Sequence, residues 1–246
     1  MPNTLQSPVS RSRTIQIDVD GKKLDAYMAT PMRIPAPVVV VLQEIFGVNN
    51  DIKKTCDELA AAGFNAIAPD LFWRQERDVN LNNWSDAEWK KGFVLYGAYD
   101  RDLGVHDIDA VIKAARHVEG STGKVAVMGF CLGGLMTFLV AARRDVDAAV
   151  AYHGGDTDKY LGEAHAIKAP LLMHLGELDE FINKDAQRLI KSALADVPNA
   201  TVYSYPDQYH AFARHTGAHY NAAAAALANG RTISFLGLHL GLSGLR

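Results

Sequence analysis

The chain has 246 residues, of which 48% are hydrophobic, 22% charged and 9% aromatic, the composition of a globular protein and not of a disordered or coiled-coil chain. Its 25 basic and 28 acidic residues leave a net charge of −3 with no basic block, so neither nucleic acid nor an anionic membrane is expected as a partner. The apolar runs fall far short of a membrane span, and two cysteines, Cys56 and Cys131, make neither a disulfide framework nor a zinc knuckle.

Met1–Arg13 is polar and lacks the apolar stretch of a secretory signal. It reads as a loosely packed N-terminal segment ahead of one domain over 14–246, in a soluble, cytoplasmic protein. Ile15, Ile17 and Val19 alternate with polar residues, Asp20-Gly21 supplies a turn, and Leu24–Thr30 returns, so the domain opens with an antiparallel hairpin. The run Val38–Leu42 suits a strand buried on both faces. Asp51–Ala62 follows as an amphipathic helix stopped by Gly63, with Cys56 on its apolar stripe as core packing. Strands are then expected over Asn65–Ala68, Val125–Gly129, Ala148–Tyr152, Leu171–Leu175 and Thr201–Tyr205. Helices are expected over Asp86–Tyr99, Asp102–Val118, Gly133–Arg143, Asn183–Ala195 and Ala218–Leu236. This alternation implies right-handed βαβ units and an α/β fold, a mostly parallel central sheet with helices on both faces. Leu71–Trp89 interrupts the rhythm, as a lid over a site or as a plain surface excursion.

The chemistry concentrates in Gly129-Phe130-Cys131-Leu132-Gly133, directly after a strand and opening a helix. Small residues two before and two after a nucleophile permit the sharp strand-to-helix turn of a G-x-S-x-G elbow, here with Cys in place of Ser. A thiol at a helix N-terminus is also favoured as thiolate by the helix dipole. A cysteine nucleophile needs a base, and the base an orienting carboxylate. In α/β-hydrolase chain order the acid follows the nucleophile, and Asp179 lies just beyond the Leu171–Leu175 strand, with Glu177 and Glu180 as rivals. His210 follows the last strand, where the base belongs. The other histidines read as surface or packing residues. His215 and His219 are i, i+4 but no carboxylate joins them at ligand spacing, so no metal is expected. No phosphate loop or dinucleotide fingerprint is present, and no cofactor is implied.

These residues resemble the dienelactone hydrolases (carboxymethylenebutenolidases), a cysteine-nucleophile branch of the α/β hydrolases. The markers are Gln43-Glu44-Ile45-Phe46-Gly47, Pro69-Asp70-Leu71, the elbow through Gly134, and His210-Ala211-Phe212-Ala213-Arg214. The resemblance implies an α/β-hydrolase fold with Cys131 as nucleophile, His210 as base and Asp179 as its partner. It also implies that Glu44 contacts the resting thiol and yields on substrate binding, and that the amides of Leu132 and Ile45 form an oxyanion hole. Arg214 matches an arginine that grips a substrate carboxylate. Two positions depart from the family pattern: Trp89 stands where a second carboxylate-binding arginine is expected, and Ala211 where serine is. Trp89 therefore becomes a candidate substrate contact of a different kind.

The reading is a monomeric, cysteine-dependent hydrolase that opens a small lactone or cleaves an enol ester through a thioester acyl-enzyme. One alternative is a broader carboxylesterase or thioesterase acting on neutral apolar esters, which Trp89 favours. Another is a catalytically silent hydrolase-like binding or redox module.

Overall fold

The computed structural model describes residues 11–242. Eight strands form one sheet: β1 (Arg11–Val19), β2 (Lys22–Thr30), β3 (Ala36–Leu42), β4 (Asn65–Pro69), β5 (Ser121–Phe130), β6 (Ala148–Tyr152), β7 (Leu171–Gly176) and β8 (Ala200–Tyr205). Their spatial order is β1-β2-β4-β3-β5-β6-β7-β8. The β1–β2 hairpin is antiparallel and joins the sheet antiparallel to β4. From β4 onward every pairing is parallel, which requires the crossovers that the helices supply.

The parallel strands are apolar on both faces because both are covered. Val38, Val40 and Leu42 of β3 enter one core with residues of α3 (Arg101–His117), α4 (Leu132–Arg143) and α5 (Lys184–Ala195). Val39 and Val41 enter the other, with α1 (Asn50–Ala61) and α6 (Ala222–Leu240). Strand alternation thus sends neighbouring valines to opposite layers. Capping sets the helix starts. Asn49, Asn183 and Asn221 accept the amides of Ile52, Ala186 and Ala224, so α6 begins at Ala222 and not at Ala218.

Three other expectations shift. The first strand starts at Arg11, so Arg11–Arg13 belong to the hairpin, paired with Thr30, Ala29 and Met28; residues 1–10 lie outside the described residues. Arg11, Ser12 and Arg13 are exposed, so their own side-chain pattern does not reveal the pairing. A 3-10 helix, Thr157–Ala166, fills the connection after β6. The 71–79 excursion is pinned down: Phe72, Trp73 and Val79 are buried, and Asp70 accepts the amides of Phe72 and Asp78. It leads into α2 (Asp86–Ala98), which lies over the carboxyl end of the sheet. Among the described residues no helix is long and apolar enough to cross a membrane.

Candidate active site

A single residue, Cys131, joins β5 to α4. It sits at φ 54, ψ −111, a region that costs a non-glycine residue about 1–3 kcal/mol and persists only where the surroundings impose it. Its amide donates to the carbonyl of Tyr152 at 3.1 Å, and its carbonyl accepts from Leu135 at 3.1 Å. The glycines on either side are steric requirements. A Cβ on Gly129 would strike the backbone of Gly133, and one on Gly133 would strike the carbonyls of Leu42 and Gln43. The Gly133 amide donates to the Gln43 carbonyl at 3.0 Å, tying the elbow to the end of β3.

Asp179 lies in the turn after β7. Its Oδ1 accepts the amides of Phe181 (2.8 Å) and Ile182 (3.0 Å), which aims Oδ2 at His210 Nδ1, 2.8 Å away. Neither rival meets the imidazole: Glu177 is exposed, and Glu180 accepts the backbone amide of His210 at 3.2 Å. His210 and Asp179 are both buried. Asp179 fixes the imidazole by one nitrogen; the other, Nε2, is buried without a hydrogen-bond partner, and His210 and Cys131 line the same cavity. Burial pushes the His210 pKa down, but the charge of Cys131 and the bond to Asp179 outweigh it and raise the value to about 10.

The cavity measures about 120 Å³. Its reactive side holds Cys131, His210, Glu44, Ile45 and Arg214. Leu132 is the first residue of α4, where amides lack intrahelical acceptors. A cleft of about 270 Å³ adjoins the cavity and shares Trp89, Phe181, His210 and Arg214, whereas the clefts of about 340 Å³ beside the β1–β2 hairpin and about 540 Å³ along α6 do not touch Cys131. Glu44 is not bonded to the thiol. Its Oε1 accepts Arg214 Nη2 at 2.8 Å, with both residues buried. The same guanidinium lies 5.1 Å from the Phe46 ring centroid. Trp89, on α2, packs edge-on against Phe46 at 4.9 Å and stacks on Phe93 at 5.7 Å. Phe181 continues this aromatic wall.

His215 and His219 diverge. His215 reaches Thr55 on α1, whereas His219 donates to the His210 carbonyl. Cys56 is fully buried in the α1 face of the core, where burial pushes its thiol pKa up. Three residues at or behind the site escape sequence reasoning. His153 is fully buried, with both ring nitrogens unpartnered. It packs edge-to-face on His210 at 4.6 Å, and its Nε2 lies 3.9 Å from Glu44 Oε1. Burial and neighbouring cations hold its pKa well below the ordinary value, so it stays neutral. Tyr96 and Asp156 line the cavity as a bonded pair, 60 residues apart in the chain. No local pattern marks any of the three.

A profile of the Dienelactone hydrolase family matches residues 24–240. The carboxymethylenebutenolidase of Pseudomonas putida is 40% identical over 217 residues, covering 88% of this chain and 92% of that one. Carboxymethylenebutenolidase 1 of Cupriavidus pinatubonensis is 34% identical over 218 residues, covering 89% and 93%. Among solved structures, the dienelactone hydrolase of Anabaena variabilis superposes with a TM-score of 0.71 at 16% identity, covering 95% of this chain and 100% of that one, a likeness of fold.

Proposed function

The chain belongs to the dienelactone hydrolase family and is a carboxymethylenebutenolidase-like hydrolase; from that premise we propose that Cys131 is its nucleophile and that it opens a small lactone or enol ester through a thioester acyl-enzyme. The observation that carries this is the single free nitrogen of His210. Nδ1 is held by Asp179 at 2.8 Å, which leaves Nε2 without a partner in a residue that lines one cavity with Cys131.

The proposed sequence begins with the Cys131 thiolate and the His210 imidazolium as a pair. Sulfur attacks the carbonyl carbon, and the amides of Leu132 and Ile45 bind the oxyanion as it forms. The carbon–oxygen bond to the leaving enolate breaks, and His210 gives that oxygen its proton. Acylation then neutralises the sulfur. The charge of Cys131 contributes to the raised pKa of His210, so in the thioester, where the sulfur is neutral, the imidazole that has given up its proton stays neutral and acts as base toward water. Hydroxide adds to the thioester, thiolate is expelled, and the proton returns to His210. Thiolate leaves a tetrahedral intermediate far more easily than an amine does, so esters and lactones are favoured over amides.

Rapid quench of the enzyme with an aryl ester, followed by mass spectrometry, tests the scheme. An acyl group is expected on the peptide carrying Cys131, and Cys131→Ala is expected to lose turnover by roughly 10⁴-fold. Full turnover in Cys131→Ala would overturn the proposal. The aromatic wall of Phe46, Trp89, Phe93 and Phe181 supports a second reading in which neutral apolar esters are the better substrates.

A further inference from the structure

A second space opens directly beyond Cys131 and His210. The cleft of about 270 Å³ shares Trp89, Phe181, His210 and Arg214 with the cavity, but Cys131 lines only the inner space. Past the shared residues the cleft belongs to two loops. One is the turn into α2, which brings Asn83 and Trp84; the other follows His210 and brings Gly217 and His219.

Both loops are held in place. Asn82 Oδ1 accepts the Trp84 amide at 2.9 Å, and Glu88 Oε1 accepts the Asn82 amide at 3.1 Å. Ser85 caps α2 by accepting the Glu88 amide, and the Trp89 indole donates to the Asn83 carbonyl at 3.2 Å. Across the cleft, Glu180 accepts the His210 amide at 3.2 Å and His219 Nδ1 donates to the His210 carbonyl at 3.1 Å. The two walls meet at Gly217, at φ 103, where a Cβ would strike the Asn83 side chain. On this fixed backbone the Trp84 ring is 68% exposed, and Phe181 of the same cleft is 47% exposed. Large aromatic surface is thus left in water at the rim of the site, where a flat ligand would cover it favourably.

The cysteine-hydrolase reading above gives a bound ester its direction. The carbonyl carbon must reach Cys131, so the acyl half occupies the inner space. The leaving oxygen takes its proton from His210, which borders both spaces, and the group attached to that oxygen continues past the imidazole. We propose that the outer cleft receives the leaving half of the substrate, and that Trp84 is a specificity-determining residue there, selecting a flat, extended leaving group over a short one. The inference rests on that reading and names its substrate class: an ester or lactone with a compact acyl half and a larger planar half on the oxygen side. In a lactone the halves stay joined, and the substituent on the carbon bearing the leaving oxygen takes the same course. Trp84 contributes stacking to this choice, not charge.

Three neutral esters read the effect: phenyl acetate, 2-naphthyl acetate, which enlarges the leaving half, and phenyl butanoate, which enlarges the acyl half. The native enzyme is expected to favour 2-naphthyl over phenyl acetate in kcat/KM by about tenfold, the scale of one stacked aromatic contact. Trp84→Ala is expected to remove most of that preference through KM, and Trp84→Phe to retain part of it. The ratio of phenyl butanoate to phenyl acetate is expected to be the same in all three proteins. Native preference for phenyl acetate, a naphthyl-to-phenyl ratio untouched by Trp84→Ala, or an equal shift in the acyl series would overturn the proposal. If Trp84→Ala does not fold, Trp84→Leu decides by the same ratios. Absence of turnover on all three esters would strike the hydrolase reading instead. Calorimetric binding of 2-naphthol to the native protein and to Trp84→Ala then still reads the cleft, with equal affinity for both as the overturning result.

Discussion

Cys131 and Cys56 carry the same thiol into opposite surroundings. Cys56 is sealed in the core beneath α1, where burial disfavours its ionised form, whereas Cys131 borders the cavity beside His210. Alkylation by iodoacetamide is therefore expected at Cys131 alone in the folded protein. Labelling of Cys56, or of neither cysteine, in the folded protein would contradict this contrast. At this scale the elbow, Asp179 and His210 could be found from chain order and turn residues, because the strand-to-helix turn imposes a local pattern. His153 could not, since nothing around Ala151–Gly154 records that its ring lies beneath His210.

The excursion between β4 and α2 is where element-level reading was weakest, because its order comes from partners far along the chain. Asp107 on α3 takes the Trp73 indole N–H at 2.8 Å and the Arg74 guanidinium through two bonds at 2.8 Å. One carboxylate thus holds down the stretch that leads into α2, and α2 delivers Trp89, Phe93 and Tyr96 to the cavity. Asp107→Asn sets an amide N–H₂ against the guanidinium and is expected to cost about 2–3 kcal/mol. The denaturant midpoint should fall accordingly, and trypsin should cut faster after Arg74 and Arg77; unchanged values would remove the clamp. The eight strands and six α-helices were otherwise legible, because burial on both faces writes continuous apolar runs and amphipathic stripes into the sequence. The 3-10 helix Thr157–Ala166 was not, having neither a long period nor a side-chain cap.

Across the whole molecule, two neutral imidazoles lie within the fold. His174 is fixed by Tyr205 at 2.7 Å and Thr232 at 3.0 Å, and burial lowers its pKa to about 3. His153 is held well below its ordinary value by burial and neighbouring cations. Both take up a proton readily only when unfolded, so their contribution to stability is complete above about pH 6.5 and is lost as the pH falls toward 3. Asp70, raised to about 6 by burial, acts in the opposite sense, contributing most at low pH and losing that contribution as pH rises through 6. Two imidazoles outweigh one carboxyl, so the thermal midpoint is expected to drop between about pH 6.5 and about pH 4. A midpoint constant over that interval would show that these histidines are hydrated or charged in the folded state.

The elbow has a consequence for how this sequence can drift. Glycine would rest comfortably in the backbone shape that Cys131 is forced to hold. Selection for sturdiness alone would therefore pull that position toward the one substitution that erases the sulfur. If Cys131 is the nucleophile proposed above, a side chain persists there only while catalysis is rewarded, and a lineage released from that demand has a downhill path to a firmer, inert descendant.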